Sequence, residues 1–142
     1  MKKRQLKKAE MYIDGASRGN PGPASVGIVL REPGAQEPVE AVGYRIGQTT
    51  NNIAEYYALI LGLQEALIWG IKDLSVFTDS ELLAKQFAGE YKIKEPSLQQ
   101  LFLLIAHLKR GFTRLTLTHV PREQNRLADA EANKALDAIS LF

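Results

Sequence analysis

The sequence contains no cysteine, which excludes a disulfide framework, thiol chemistry and a zinc–thiolate site. Stability must therefore come from packing, as in a protein of a reducing compartment. No apolar run reaches the roughly 18 residues of a membrane span, and the opening MKKRQLKKAE lacks the apolar middle of a secretory signal. A soluble, cytoplasmic chain with no membrane partner is the expectation. Repeats and low-complexity tracts are absent too. What remains is 142 residues, 45% hydrophobic and 24% charged, the size of one domain with a real core and too short for two.

The net charge of +2 hides an uneven distribution. Five of the 18 basic residues fall in the first ten beside one acid, which leaves 13 basic against 15 acidic in the remainder. Residues 1–9 therefore read as a basic tail and 10–142 as a single, mildly acidic domain. Such a tail either contacts phosphates by counterion release or is only a solvated terminus.

Strand-like segments at about 10–18 and 24–31 are joined by RGNPGP, whose Gly, Asn and Pro supply turn dihedrals, and a third follows at about 39–47. Short connections make these three antiparallel neighbours. From Asn51 the period changes to helical, with Ile53, Tyr56, Tyr57, Ile60, Leu61, Leu63, Leu67 and Ile68 on the apolar positions until Gly70. LSVFT at 74–78 is a short strand, SELLAKQFA and SLQQLFLLIAHLKRG are helices, and FTRLTLTHV at 112–120 alternates as a strand. The last helix, NRLADAEANKALDAI, begins at Asn125 as its cap and offers Leu127, Ala128, Ala132, Ala135, Leu136 and Ile139 for packing. The order implies an α/β fold: a mixed five-stranded sheet, three antiparallel strands then parallel additions, with helices on both faces.

Asp14 lies in a strand that needs no acid for packing, so it faces water or binds something. Glu55, Asp79 and Asp129 each have a bland reading. Asn52 with Glu55 fits a capping box, Asp79 caps a helix, and Asp129 sits in a first helical turn near Arg126. The topology, however, carries all four to one sheet edge, beyond the carboxyl ends of the strands. Like charges there repel at roughly 4 kcal/mol per pair at 4 Å and an effective dielectric of 20. Hard divalent cations remove that repulsion, and an all-oxygen site suits Mg²⁺ or Mn²⁺ better than Zn²⁺. Two metals about 3.5 to 4 Å apart would activate a water and stabilise the leaving oxygen of a phosphodiester, which is nuclease chemistry.

Four ordered blocks, YIDGASRGNPG, TTNNIAEYYALILGL, VFTDSELL and REQNRLADAEAN, resemble the signature blocks of type 1 ribonuclease H over about residues 10–135. The resemblance implies the ribonuclease H-like fold and endonucleolytic cleavage of the RNA strand of an RNA/DNA hybrid, leaving 5′-phosphate and 3′-hydroxyl ends. It assigns Asp14, Glu55, Asp79 and Asp129 as metal-binding catalytic acids for two Mg²⁺ or Mn²⁺ ions with substrate bound. Asn20, Asn51 and Asn52 fall on positions that contact the hybrid, and the amides of Gly15 and Ala16 lie near the cleaved strand. Short polar groups can read 2′-hydroxyls across a wide minor groove without reading bases.

The departures from the family pattern are local. Glu81 stands where many members carry Gln, and AGEYKIKEPSLQQ replaces a basic protrusion, leaving Arg18, Arg45, Lys92, Lys94, Arg122 and the N-terminal lysines as candidate contacts. The loop THVPREQN is shorter than the one in which many bacterial members place a flexible His, leaving His119 near a strand end. It resembles the compact archaeal and minority bacterial branch, whose Arg in this block, here Arg122, takes a supporting catalytic role unless it only pairs with Glu123 at the surface. A guanidinium can hold a phosphate oxygen bidentately. His107 reads as structural, and the terminal Leu141 and Phe142 as docking on the body. A monomer is expected. The competing readings are a catalytically silent hybrid-binding module and another nuclease or strand transferase of the same superfamily.

Overall fold

Alternation of side chains along the first strand divides the molecule into two layers. The computed structural model describes residues 6–138. In β1 (Lys8–Ser17), Met11 and Ile13 are fully buried on one face while Tyr12 and Asp14 point to the other. β2 (Gly22–Arg31) and β3 (Glu40–Thr49) pair antiparallel, and β2 pairs antiparallel with β1. Helix α1 (Asn51–Ile68) then crosses back to β4 (Asp73–Thr78), parallel to β1. After α2 (Glu81–Phe87) and α3 (Pro96–Lys109), β5 (Arg114–His119) pairs parallel with β4. A 3₁₀ turn, Arg122–Gln124, leads into α4 (Arg126–Asp137). The sheet order is β3-β2-β1-β4-β5, the mixed five-stranded sheet expected from the sequence.

The main core lies between the sheet and α1. Met11, Ile13, Val26, Ile28, Leu30, Leu74 and Val76 from the strands meet Leu59 and Leu63 of α1, with Leu83, Leu98 and Ile105 of α2 and α3 closing the cluster. Each such side chain contributes about 1.5–3 kcal/mol of transfer free energy. Helix α4 covers the opposite face, packing Ala128, Ala132 and Leu136 inward across β1, β2 and β3. Gly27 makes that contact close, since a Cβ there would stand 1.9 Å from the Ala128 carbonyl oxygen. Ser25 Oγ reinforces it by donating to Ala132 O at 2.6 Å.

The element bounds and faces differ from the sequence reading in a few places. β1 begins at Lys8, and the segment read as tail is built into the body from Leu6 onward. Leu6 is buried with its N–H on Trp69 O, and Lys7 O accepts from the N–H groups of Lys72 and Asp73. Ile68 is 64% exposed because it lies about 140° around α1 from Leu63, off the buried stripe. Leu127 is 51% exposed, one residue and about 100° from Ala128. Gly70 (φ 80°) does end the first helix in a left-handed conformation, as expected. Ile139, Leu141 and Phe142 lie outside the described residues, as does the beginning of the basic tail.

Candidate active site

The parallel pairing of β1 with β4 puts their carboxyl ends side by side, and the four acids converge there. Asp14, near the end of β1, is only 6% exposed. Asp79 follows β4 directly. The turn around it is held by Thr78 Oγ1, which accepts the Ser80 N–H at 3.1 Å, while Ser80 Oγ caps α2 by accepting from Leu83 N–H at 3.1 Å. The capping role considered for Asp79 therefore belongs to Ser80.

Glu55 is freed from the helix cap in the same way. The cap of α1 is Thr50, whose Oγ1 accepts the Ile53 N–H at 3.3 Å, so the Asn52–Glu55 capping box does not form. Glu55 Oε1 instead accepts the Gly15 N–H at 2.7 Å, across the join between α1 and β1. Only glycine permits this approach, because a Cβ on residue 15 would lie 2.4 Å from the Ala54 carbonyl carbon. The helix lies flat on bare backbone, and its second turn hands a carboxylate to the strand end.

Carboxylate oxygens of Asp14, Glu55 and Asp79 all lie within 4.8 Å of one another. Asp129, in the first turn of α4, stands outside that group but is near enough that it raises the Asp14 carboxyl. Arg122, exposed in the 3₁₀ turn, is close enough that its charge draws the Glu55 carboxyl down. The structure thus gathers the four predicted acids and Arg122 at one edge.

The remaining predicted residues frame this edge. Gly15 commits its N–H to Glu55, and Ala16 follows it on β1. Asn20 Oδ1 accepts the Asn51 N–H at 2.9 Å, tying the β1–β2 turn to the first turn of α1, where Asn51 and Asn52 are both exposed. Arg18 is ion-paired with Asp137 at 2.6 Å. Glu81 is an exposed first-turn acid of α2, and His119, paired beside Thr78 at the end of β5, is exposed. His107 sits in the last turn of α3, facing solvent.

Asn125 is the residue that sequence reasoning underrated. It occupies the cap position of α4 but makes no side-chain cap; its Nδ2 donates to Ile13 O at 2.8 Å, and it is 1% exposed. Its local sequence is that of an ordinary helix cap. Only the packing of α4 on β1 reveals the other role.

Burial, followed by the charges of Glu55, Asp79 and Asp129, pushes the Asp14 carboxyl up to about 9 from 3.8. Burial also raises Glu55 to about 8 from 4.5, against the Gly15 N–H and Arg122, which pull it down. Each group holds a proton in the folded chain that the unfolded chain has released. The contribution of this pair to the stability of the metal-free protein should therefore be full below about pH 4 and be lost as pH rises toward 8 to 9. Chemical denaturation at pH 5.5 and 8.5 in EDTA checks this: a loss of about 1–3 kcal/mol is expected, reduced when Mg²⁺ is present, and a flat profile contradicts it.

The donor set fits a hard divalent cation. It is all oxygen, partly buried and, among the described residues, short of compensating positive charge apart from Arg122, and proton retention is what such a cluster does when no cation offsets it.

A mixed sheet with three antiparallel strands and two parallel ones, helices on both faces and acids converging beyond the carboxyl ends of β1 and β4 defines an α/β protein of the ribonuclease H-like class. Residues 12–135 match the family described as Reverse transcriptase-like. The chain is 47% identical over 126 residues to a Ribonuclease HI of Halobacterium salinarum, covering 89% of this chain and 63% of that relative. It therefore spans less than two thirds of that relative's length. It is 32% identical to a Ribonuclease H of Chromohalobacter salexigens, covering 94% of this chain and 87% of the relative. The crystal structure of LC11-RNase H1 in complex with an RNA/DNA hybrid superposes with a TM-score of 0.88 at 40% identity, covering 93% of this chain and 99% of that one. The chain belongs to the type 1 ribonuclease H family.

Proposed function

We propose that this protein is an endoribonuclease that hydrolyses the RNA strand of RNA/DNA hybrids, leaving 5′-phosphate and 3′-hydroxyl ends. The observation that carries this reading is the cluster of Asp14, Glu55 and Asp79, with oxygens within 4.8 Å, joined by Asp129 from α4. These four carboxylates would hold Mg²⁺ or Mn²⁺, two ions with substrate bound. When bound, such cations supply a nucleophile at neutral pH and neutralise charge on the phosphodiester.

The chain's own residues do the rest. Glu55 is held in place by the Gly15 amide, so its carboxylate meets Asp14 and Asp79 without searching rotamers. Arg122, a permanent cation, holds a phosphate oxygen as charge builds on it. Asn20, Asn51 and Asn52, with the backbone of Ala16, form a polar rim suited to sugars and phosphates of the hybrid, while the Gly15 N–H serves Glu55; none of these groups selects a base.

The protein acts as a monomer in the cytoplasm on this reading; no helix among the described residues is long and apolar enough to cross a membrane. A gel assay with end-labelled RNA/DNA hybrid, single-stranded RNA, duplex RNA and duplex DNA tests the function. Cleavage of hybrid RNA at many positions, dependent on Mg²⁺ or Mn²⁺ and abolished by EDTA, is expected. Binding without cleavage under either metal, or a strict sequence requirement, overturns the reading.

A further inference from the structure

Asn125 spends its hydrogen bonds in an unusual way. At a helix cap, an asparagine normally turns its side-chain oxygen onto the N–H groups of the first turn. Here the side chain turns away, and Nδ2 donates at 2.8 Å to Ile13 O, the carbonyl of the peptide bond that leads into Asp14. The Asn125 carbonyl accepts the Asp129 N–H at 3.1 Å, and its own N–H donates to Arg122 O at 2.9 Å. One residue is thus bonded to the backbone beside Asp14, Asp129 and Arg122.

This arrangement is not what helix stability alone would select. The cap bond is forgone, and Asn125 Oδ1 is buried with no hydrogen-bond partner among the described residues. Both features oppose folding. What the arrangement secures is the relative placement of two acids that come from different elements and repel each other. Asp14 is on a strand and Asp129 on a helix that packs across the sheet, so their separation depends on how the start of α4 is fixed to β1.

We propose that Asn125 is a positioning residue, which clamps the start of α4 to the end of β1 and so sets Asp129 and Arg122 against Asp14 for cation binding and phosphoryl chemistry. The proposal rests on the functional reading above. It assigns to Asn125 an effect on cation affinity and turnover, with none on hybrid affinity.

The test compares Asn125→Ala with Asn125→Gln in the full chain. The glutamine keeps the amide donor on a side chain one methylene longer, and Asn125 itself lines a cavity of about 220 Å³ with Tyr12, Arg31 and Arg126. Mn²⁺ affinity by calorimetry, without substrate, is expected to weaken 10- to 100-fold in Asn125→Ala. Turnover should fall in parallel while KM for the hybrid stays within about twofold, and Asn125→Gln should keep Mn²⁺ affinity within about threefold. If the alanine variant lacks the wild-type circular dichroism spectrum, Asn125→Ser, whose hydroxyl is too short to reach Ile13 O, takes its place. A folded variant with unchanged Mn²⁺ affinity and turnover, or one that raises KM alone, overturns the proposal. Wild-type protein that neither binds Mn²⁺ nor cuts hybrid overturns the functional reading itself, and that result is read in the unmutated chain.

Discussion

Asp14→Asn should lower hybrid cleavage at least 10³-fold while making the metal-free protein more stable. The two effects share one cause. Asp14 is buried, and three other carboxylates press on it, so its carboxyl is raised to about 9. Ionising it inside the fold is costly, and keeping it protonated forfeits the proton release that the unfolded chain enjoys. Asparagine is nearly isosteric and removes both costs, for a gain of about 1–3 kcal/mol near pH 8. The same change deletes one of the proposed cation ligands at the centre of the cluster, so turnover should collapse. Thermal melting in EDTA and a single-turnover cleavage assay measure the two effects. A stability loss of several kcal/mol would make Asp14 a structural residue and remove the argument that the cluster exists for a cation.

The second large effect is expected at a position with no chemistry. Gly27→Ala should cost about 4 kcal/mol or more and take activity with it. A Cβ at residue 27 would lie 1.9 Å from the Ala128 carbonyl oxygen and 2.8 Å from the Ala132 nitrogen, both backbone atoms of α4. Neither can swing aside as a side-chain tip could. The helix must lift as a body, which breaks the Ser25–Ala132 and Asn125–Ile13 hydrogen bonds and carries Asp129 away from Asp14. Urea denaturation with a cleavage assay on the folded fraction checks this. A midpoint within experimental error of wild type would mean that α4 does not seat on bare backbone.

Much of the fold was legible because the relevant signals are local. The turn residues of RGNPGP, the switch to helical period at Asn51 and the left-handed Gly70 mark element ends that depend on a few adjacent residues. Errors of face came where a residue lies near the margin of an apolar stripe, as Ile68 and Leu127 do. The reading of residues 1–9 as a tail failed at Leu6 to Ala9 because charge dominates that segment, while Leu6 finds Trp69, more than sixty positions away, only in the folded chain.

The acids were legible as an ordered set, but their local roles were not. Glu55 three residues after Asn52 satisfies the pattern of a capping box, and Asp79 before a helix satisfies that of a cap. The structure gives those duties to Thr50 and Ser80, and so leaves both carboxylates directed to the cluster. A pattern three residues long cannot decide between a bond within a helix and one to Gly15, forty positions earlier.

By itself, the sequence determined the order and kind of the elements and marked the four acids as candidates for an oxygen-only site, since each follows from residue type and near-neighbour spacing. The tertiary structure decided where the carboxylates stand relative to one another and which amides hold them. Those distances come from long-range packing, in which bare glycine backbone at positions 15 and 27 lets two helices close on opposite faces of the sheet. That packing also turned Asn125 from a helix cap into the link between Asp14 and Asp129.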